Sequence, residues 1–301
     1  MYDLIIIGGG PAGLTAAIYA IRKRLNVLLL TKDFGGKTNF RLALPWIHEY
    51  QVVRGLEVVN KFRSELEYLD FARHLDDVQN VTRKNGAFTV TTKGGQSLEA
   101  RALILATGAR QVRMGVPGEK EFTMKGLCYS ALSYAPLFID RTGAVVGDGD
   151  LAVRSAAELA TVAKHVYMVC ASDKMFDSPL GAKLKAAKNV TILLGHEVVE
   201  VKGDEYARSL VLKDRDGKTV KHDTDAIFVE KALTPNSDMV KGLVKLDERG
   251  RVIVDRANRT DIPGVFAAGD VTDGYAEQVL VAVGEGAQAA LSAYEFLLPL
   301  L

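Results

Sequence analysis

The sequence predicts an α/β protein built from two Rossmann-like nucleotide-binding domains. The prediction depends on two observations: a glycine-rich turn joins an apolar strand to a helix near residue 8, and the same arrangement returns near residue 147. Each turn lies between the first strand and the helix of a strand–helix–strand unit. Such units build a doubly wound parallel sheet. The length of 301 residues and the 48% hydrophobic content suit two such domains.

The first unit starts with the apolar segment 4–7 and continues through a helix to about Lys23. A second strand follows over 27–30. An acidic residue at the end of this strand usually contacts the adenosine ribose, but this chain has Thr31 there. The ribose contact is therefore left open.

The turn of the first unit has the G-x-G-x-x-G pattern of a dinucleotide site. Gly8 permits the tight turn, Gly10 lets the backbone approach a pyrophosphate, and Gly13 lets the helix pack close to the strand. Pro11 and Ala12 begin the helix, whose N-terminus faces the phosphates. A strand before the turn and a helix after it favour a dinucleotide ligand over a chance match.

The second unit comprises a strand over 144–146, a helix to about Lys164 and a strand over 166–169. Its turn has alanine at the third motif position, and its predicted nucleotide contacts are Gly147, Gly149, Asp150 and Ala152. Two such folds in one chain indicate a flavin and a pyridine nucleotide, because hydride passes between those cofactors. The alternative is a second fold kept only as scaffold.

Three further segments complete the prediction. A hairpin region over about 81–99 with Gly94-Gly95 at a turn precedes a strand from Arg101 that leaves through Thr107-Gly108. Near the other end, a strand stops at Gly269-Asp270, and a helix starts at about Gln278. We expect Asp270 to cap or face that helix, where a carboxylate is also suited to ribityl hydroxyls.

Composition excludes several classes of function. The chain has 38 Lys+Arg against 37 Asp+Glu, so no net charge favours nucleic acid or an anionic membrane. It has no basic leader and no long apolar stretch, which predicts a cytoplasmic protein without a membrane span.

Cys128 and Cys170 lack zinc-type or Cys-x-x-Cys spacing, so we predict no metal and interpret both as buried hydrophobes. The apolar end over 296–301 is interpreted as a packed tail or dimer contact.

Together these motifs resemble the low-molecular-weight thioredoxin reductase family, along nearly the whole chain. The segments that carry the resemblance also include Gly35-Gly36, Gly118-Glu119, Pro235-Asn236 and Gly284-Glu285-Gly286. The resemblance implies the pyridine nucleotide-disulfide oxidoreductase architecture, with a three-layer ββα FAD domain over 1–112 and 242–301 and an inserted NAD(P)-type domain over 113–241. It also implies a homodimer in which the inserted domain rotates.

The resemblance also implies the cofactor contacts, position by position. It implies no catalytic acid or base among the side chains. The implied FAD contacts are Gly8, Gly10, Pro11, Ala12, Gly13, Thr31, Gly36, Lys37, Ala106, Thr107, Gly108, Gly269, Asp270, Gln278, Val279 and Ala282. The implied nicotinamide-nucleotide contacts are again Gly147, Gly149, Asp150 and Ala152.

The first departure from the family removes its redox-active dithiol. Ser130 and Ser133 stand where the family has Cys-x-x-Cys, and a hydroxyl forms neither a disulfide nor a thiolate adduct. Tyr134-Ala135 replaces the Asp-Gly that follows the family's dithiol, which favours natural loss over an engineered double substitution. Dithiol exchange at this position is therefore excluded.

The second departure concerns the pyridine nucleotide. The family binds the 2′-phosphate of NADPH with three arginines. This chain has no arginine over 170–176, and Asp173 in that segment would repel a phosphate. NADPH is thus disfavoured and NADH remains compatible; if neither binds, the fold is vestigial or holds another ligand.

The third departure lies in the segments expected near the flavin. Lys37 replaces a glutamine, which places a positive charge near the flavin pyrimidine or in solvent. Trp46, His48 and Tyr50 either line a flavin or acceptor pocket or pack an irregular loop.

The favoured hypothesis is an FAD-dependent oxidoreductase that passes electrons to a non-disulfide acceptor such as a ferredoxin-like protein or a quinone. The donor is NADH or a redox protein. The alternative is a non-catalytic or partner-reduced flavin-binding protein with a vestigial nicotinamide site. A third hypothesis, disulfide reduction by Cys128 or Cys170 alone, is disfavoured because neither sequence context lowers a thiol pKa.

Overall fold

The computed structural model describes residues 1–47, 54–67, 72–131 and 133–301. The chain divides into two compact units. The first comprises Met1–Asn39, Gln51–Arg110 and Thr234–Leu301, and the second Phe40–Tyr50 and Gln111–Leu233. The division differs from the expected domain limits in three places. Residues 40–47 belong to the second unit, the first crossing lies at 110–111 rather than 112–113, and the second lies at 233–234 rather than 241–242.

A seven-stranded sheet forms the centre of the first unit. Numbered along the chain, its strands are β1 (Tyr2–Ile7), β2 (Val27–Thr31), β3 (Arg73–Leu75), β4 (Val78–Lys84), β5 (Ala87–Thr92), β6 (Ser97–Leu105) and β17 (Val265–Ala267). The path runs β3-β2-β1-β6-β5-β4, and β17 pairs with β6. The pairs among β1, β2, β3, β6 and β17 are parallel, while β4, β5 and β6 are antiparallel.

The helices of this unit are α1 (Pro11–Arg22), α2 (Arg54–Glu67) and α6 (Val279–Leu297). Strand β1 is apolar on both faces because the sheet is covered on both sides. Leu4 and Ile6 pack in the core that holds all three helices. Ile5 and Ile7 point to the opposite face, where they join residues of β4, β5 and the segment around Val252. This burial explains why the strand reads as a continuous apolar run.

The predicted hairpin region is a three-stranded meander. Gly94-Gly95 lies between β5 and β6, as predicted. The other turn was not predicted: Asn85 and Gly86 join β4 to β5 with φ of +51° and +83°. Asn-Gly is the preferred pair for a two-residue turn with both φ values positive, so this signal was available in the sequence.

The second unit contains a five-stranded parallel sheet and a three-stranded antiparallel sheet. The strands are β8 (Leu127–Cys128), β9 (Thr142–Val146), β10 (His165–Cys170), β11 (Val190–Leu194), β12 (Glu197–Gly203), β13 (Ala207–Lys213), β14 (Thr219–Asp223) and β15 (Ala226–Val229). The parallel sheet has the order β11-β10-β9-β15-β8, and the antiparallel sheet is β12-β13-β14. The helices are α3 (Glu119–Phe122), α4 (Asp150–Ala160) and α5 (Pro179–Ala186). The crossing strands β7 (Ala109–Gln111) and β16 (Leu233–Pro235) pair with each other.

Helix α4 ends at Ala160, four residues before the predicted end at Lys164. The N–H groups of Thr161 and Val162 bond to carbonyls three residues earlier, which is the tighter geometry common at helix ends. The Thr161 hydroxyl also donates to the Glu158 carbonyl at 2.7 Å. Among the described residues, no helix combines the length and apolar character needed to cross a membrane.

Candidate functional site

The glycine turn after β1 is shaped by two close backbone approaches. Gly8 has φ of +113°, and a β-carbon built on it would lie 2.2 Å from the Ala106 carbonyl oxygen. A β-carbon on Gly13 would lie 1.8 Å from the Gly8 carbonyl oxygen. Gly8 must therefore be glycine for the turn to approach the backbone after β6, and Gly13 must be glycine for α1 to pack against the turn.

Gly10 has a different role in the same turn. It is the N-cap of α1 in an extended conformation without a side-chain cap, and a β-carbon on it would meet no atom within 4 Å. The first N–H groups of a helix lack intrahelical partners, so this end presents donors to open space. A β-carbon on Gly36 would come within 3.4 Å of the Gly10 Cα, which places the Gly36 loop beside this space. The turn therefore leaves room for the phosphates of a dinucleotide beside the N-terminus of α1.

Lys37 and Asp270 form an ion pair at this edge of the first unit. Their side chains are 34% and 14% exposed, so Lys37 is partly buried rather than free in solvent. The expectation that Asp270 caps the last helix is wrong: α6 begins at Val279, and its N-cap is Gln278. Eight residues lie between Asp270 and the start of α6, and the Asp270 carboxylate pairs with the Lys37 ammonium group.

Several other predicted contacts lie at the carboxyl ends of strands in the first unit. The Thr31 hydroxyl closes a local turn by donating to the Asp33 carbonyl at 2.7 Å. Thr107, between Ala106 and Gly108, donates to the Asn236 carbonyl at 2.6 Å, and the Asn236 amide donates back to the Thr107 carbonyl at 2.9 Å. The hydroxyls of Thr31 and Thr107 therefore both donate to backbone carbonyls of the first unit. Val279 and Ala282 lie in the first turn of α6.

Glu285 is a half-buried carboxylate of the Gly284-Glu285-Gly286 segment, and its sequence pattern predicts no role for it. It accepts a hydrogen bond of 2.6 Å from the Gly269 N–H. Burial raises the pKa of the Glu285 carboxyl above its usual range, and Asp270 and Asp273 raise it further, against the lowering effect of the Gly269 bond. Helix α6 therefore places a carboxylate that is costly to ionise beside the loop around Gly269.

We expect Glu285→Gln to stabilise the first unit at neutral pH. A carboxyl whose pKa is raised on folding contributes most stability below its unfolded pKa of about 4.3, and that contribution is lost as pH rises through the folded pKa. Glutamine keeps an acceptor for the Gly269 N–H but carries no charge. Melting temperatures from pH 4 to pH 8 should diverge in favour of the variant as pH rises. Equal shifts for the exposed Glu277→Gln control would contradict this account.

The two serines at the expected dithiol position lie together in the second unit. The Ser130 and Ser133 hydroxyl oxygens are 3.0 Å apart. The intervening Leu132 lies outside the described residues. The buried Glu230 carboxylate holds this segment, because it accepts from the Ala131 N–H at 2.7 Å and from the Ser155 hydroxyl at 2.9 Å. Sequence reasoning missed Glu230, which carries no motif signal.

Both cysteines are free and buried, as predicted. Burial raises the pKa of Cys128 far above its usual range. Burial, with the nearby Asp148 and Asp173, raises the pKa of Cys170 to about 11. Because the thiolate is the reactive form, neither residue is activated as a nucleophile.

The second glycine turn repeats the features of the first. A β-carbon on Gly147 would lie 2.2 Å from the Glu230 carbonyl oxygen and 2.9 Å from the β-carbon of Ala152. Gly149 is the extended N-cap of α4, and a β-carbon on it would meet no atom within 4 Å. Asp150 is the exposed first residue of α4. This geometry fits a second dinucleotide.

Trp46 packs within the second unit, which agrees with the loop-packing alternative. Its indole N–H donates to the Leu137 carbonyl at 3.1 Å, and its ring meets Phe138 edge-on at 5.5 Å between centroids. The other two residues of that prediction, His48 and Tyr50, lie outside the described residues.

Comparison with known proteins agrees with this geometry. The family described as pyridine nucleotide-disulphide oxidoreductase matches residues 2–286. The chain is 38% identical to an alkyl hydroperoxide reductase subunit of Pseudomonas aeruginosa, over 99% of this chain and 58% of that protein. It is 33% identical to the protein of the same name in Staphylococcus aureus, over 99% of this chain and 59% of that protein. The chain thus spans less than two thirds of the length of these relatives.

Two solved structures show the same fold. Thioredoxin reductase from Streptococcus pyogenes superposes with a TM-score of 0.87 at 32% identity, covering 99% of each chain. Thioredoxin reductase from Giardia duodenalis gives a TM-score of 0.86 at 29% identity, again covering 99% of each chain. The predicted fold class is confirmed.

Proposed function

The chain belongs to the pyridine nucleotide-disulphide oxidoreductase family, a family of FAD-binding enzymes, and we propose that it passes electrons to an acceptor other than a disulfide. The observation that carries the proposal is the Ser130–Ser133 hydroxyl pair at 3.0 Å, at the position where the thioredoxin reductase family carries a dithiol. Two hydroxyls cannot cycle between dithiol and disulfide.

Bound FAD supplies hydride and electron-transfer chemistry. Under this proposal the first unit binds it with the residues named in the sequence analysis. Gly10 leaves room for the pyrophosphate, and the N-terminal N–H groups of α1 donate to it. Asp270 receives ribityl hydroxyls, and Lys37, paired with Asp270, places a positive charge beside the cofactor. The protein positions the cofactor and sets its electrostatics without an acid or base.

The acceptor class that suits this chemistry is a ferredoxin-like protein or a quinone, because neither offers a disulfide. NADH is the proposed donor, supported by the open Gly149 turn and by the absence of arginine from residues 170–176. We further propose a homodimer, by analogy with the family. Disulfide reduction by Cys128 or Cys170 is disfavoured, because both are buried and have raised pKa values.

An acceptor panel tests the proposal. FAD-loaded protein is reduced anaerobically, with NADH or with dithionite, and mixed with a [2Fe–2S] ferredoxin, a water-soluble benzoquinone, oxidised thioredoxin or an aromatic disulfide reagent. We expect reduction of the ferredoxin or the quinone only. A Cys128→Ala/Cys170→Ala variant serves as control and should behave identically. Reduction of thioredoxin by the natural protein, lost in that variant, would overturn the proposal.

A further inference from the structure

Asp148 is the middle residue of the second glycine turn, and its side chain bonds to the backbone after β10. Its Oδ1 accepts hydrogen bonds from the Ala171 N–H at 2.5 Å and the Ser172 N–H at 3.2 Å. These donors come immediately after β10, so the carboxylate lies at the carboxyl end of the strand that neighbours the turn. In a Rossmann unit, the end of this strand is where the adenosine ribose is recognised.

The two carboxylate oxygens of Asp148 differ in their hydrogen bonds. Oδ1 takes both backbone N–H groups, and within the part of the chain that the structure describes no donor bonds to Oδ2. Asp148 is exposed, so Oδ2 is accessible as an acceptor. A ribose 2′-hydroxyl is a donor that such an oxygen can bind, whereas a 2′-phosphate is an anion that it repels.

The surrounding charges reinforce this discrimination. Asp173 lies close enough to Cys170 that it and Asp148 both raise that thiol's pKa. Residues 171–175 contain one carboxylate, Asp173, and one cation, Lys174. The two N–H groups that a phosphate at this strand end would need are already bonded to Asp148. A 2′-phosphate at this strand end would therefore meet the carboxylates of Asp148 and Asp173.

We propose that Asp148 determines which nicotinamide nucleotide this protein accepts, by binding the ribose 2′-hydroxyl of NADH and excluding the 2′-phosphate of NADPH. The inference rests on the proposed function, because it assumes that a nicotinamide nucleotide binds the second unit. It assigns the discrimination to a residue of the glycine turn rather than to the residues after β10.

The test measures dissociation constants for NADH and NADPH with the FAD-loaded protein, using quenching of nucleotide fluorescence under air-free conditions after flavin reduction. We expect the natural protein to prefer NADH by about tenfold or more. Asp148→Asn keeps an acceptor for the Ala171 and Ser172 N–H groups but removes the charge. It should weaken NADH binding, strengthen NADPH binding and reduce the preference about tenfold. Asp177→Asn, an exposed change of the same charge in the same segment, should leave the preference unaltered.

Three results would overturn the inference. One is an equal gain in affinity for both nucleotides in Asp148→Asn, which would show general repulsion of anions. Another is a natural protein that binds NADPH as tightly as NADH. The last is no binding of either nucleotide. The dithionite arm of the acceptor panel separates these failures from failure of the proposed function: transfer to ferredoxin or quinone without nucleotide would leave that function standing.

Discussion

Gly10→Ala is expected to abolish tight FAD binding while the protein stays folded, and Gly13→Ala is expected to prevent correct folding of the first unit. The structure separates the two effects. A β-carbon on Gly10 meets no protein atom within 4 Å and its φ of −73° suits alanine, so the added methyl group fills only the space proposed for pyrophosphate. A β-carbon on Gly13 would lie 1.8 Å from the Gly8 carbonyl oxygen. Overpacking of this kind costs about 1–3 kcal/mol or more.

Flavin absorbance after reconstitution and thermal unfolding together measure both effects. For Gly10→Ala we expect FAD affinity to fall at least about tenfold, or ~1.4 kcal/mol, with an unchanged melting temperature of the FAD-free protein. For Gly13→Ala we expect a lowered melting temperature or insoluble protein. Gly149→Ala, the equivalent change in the second unit, should retain FAD. Loss of FAD from Gly149→Ala, or full FAD retention by Gly10→Ala, would contradict the assignment of the flavin to the first unit.

Ser130→Cys/Ser133→Cys is expected to create a redox-active pair. The hydroxyl oxygens lie 3.0 Å apart, so sulfur atoms at these positions need only a small approach to reach a disulfide length of about 2.05 Å. Under mild oxidation the double variant should lose its two introduced thiols, as measured by thiol titration of the denatured protein and by mass spectrometry.

The single variants Ser130→Cys and Ser133→Cys are the matched controls, since each adds one thiol without a partner. They should remain fully titratable. A double variant that stays reduced under oxidation, while the buried Cys128 and Cys170 are unchanged, would show that the two positions no longer hold the geometry of a dithiol site.

The sequence was sufficient to predict the fold class, because its signals are local. An apolar strand, a glycine turn and a helix follow one another around Gly8 and again around Gly147. Such a pattern can be recognised without knowledge of the tertiary fold. The burial of Cys128 and Cys170 could be predicted for a similar reason, because isolated cysteines without motif spacing are usually core residues. The assignment of site residues to FAD or nicotinamide remains a prediction.

The contacts between distant residues could not be predicted in this way. Lys37 and Asp270 are far apart in the chain, and only the parallel sheet brings their strand ends together. The same holds for Glu230 beneath the serine segment and for Asp148 beside Ala171. The cap expected at Asp270 was wrong because the helix starts only at Val279, with Gln278 as its N-cap. The FAD contact expected for Asp270 stays a prediction.

A reductive titration of the natural protein tests the central claim most directly. Dithionite is added without oxygen to the FAD-loaded protein, the oxidised-flavin absorbance is followed to completion, and thiols are counted in denaturant before and after. An enzyme that uses flavin alone takes up one two-electron equivalent per FAD, and the thiol count stays at the two free cysteines. We expect that result. Uptake of a second two-electron equivalent, accompanied by newly titratable thiols, would reveal a redox-active disulfide and contradict the account.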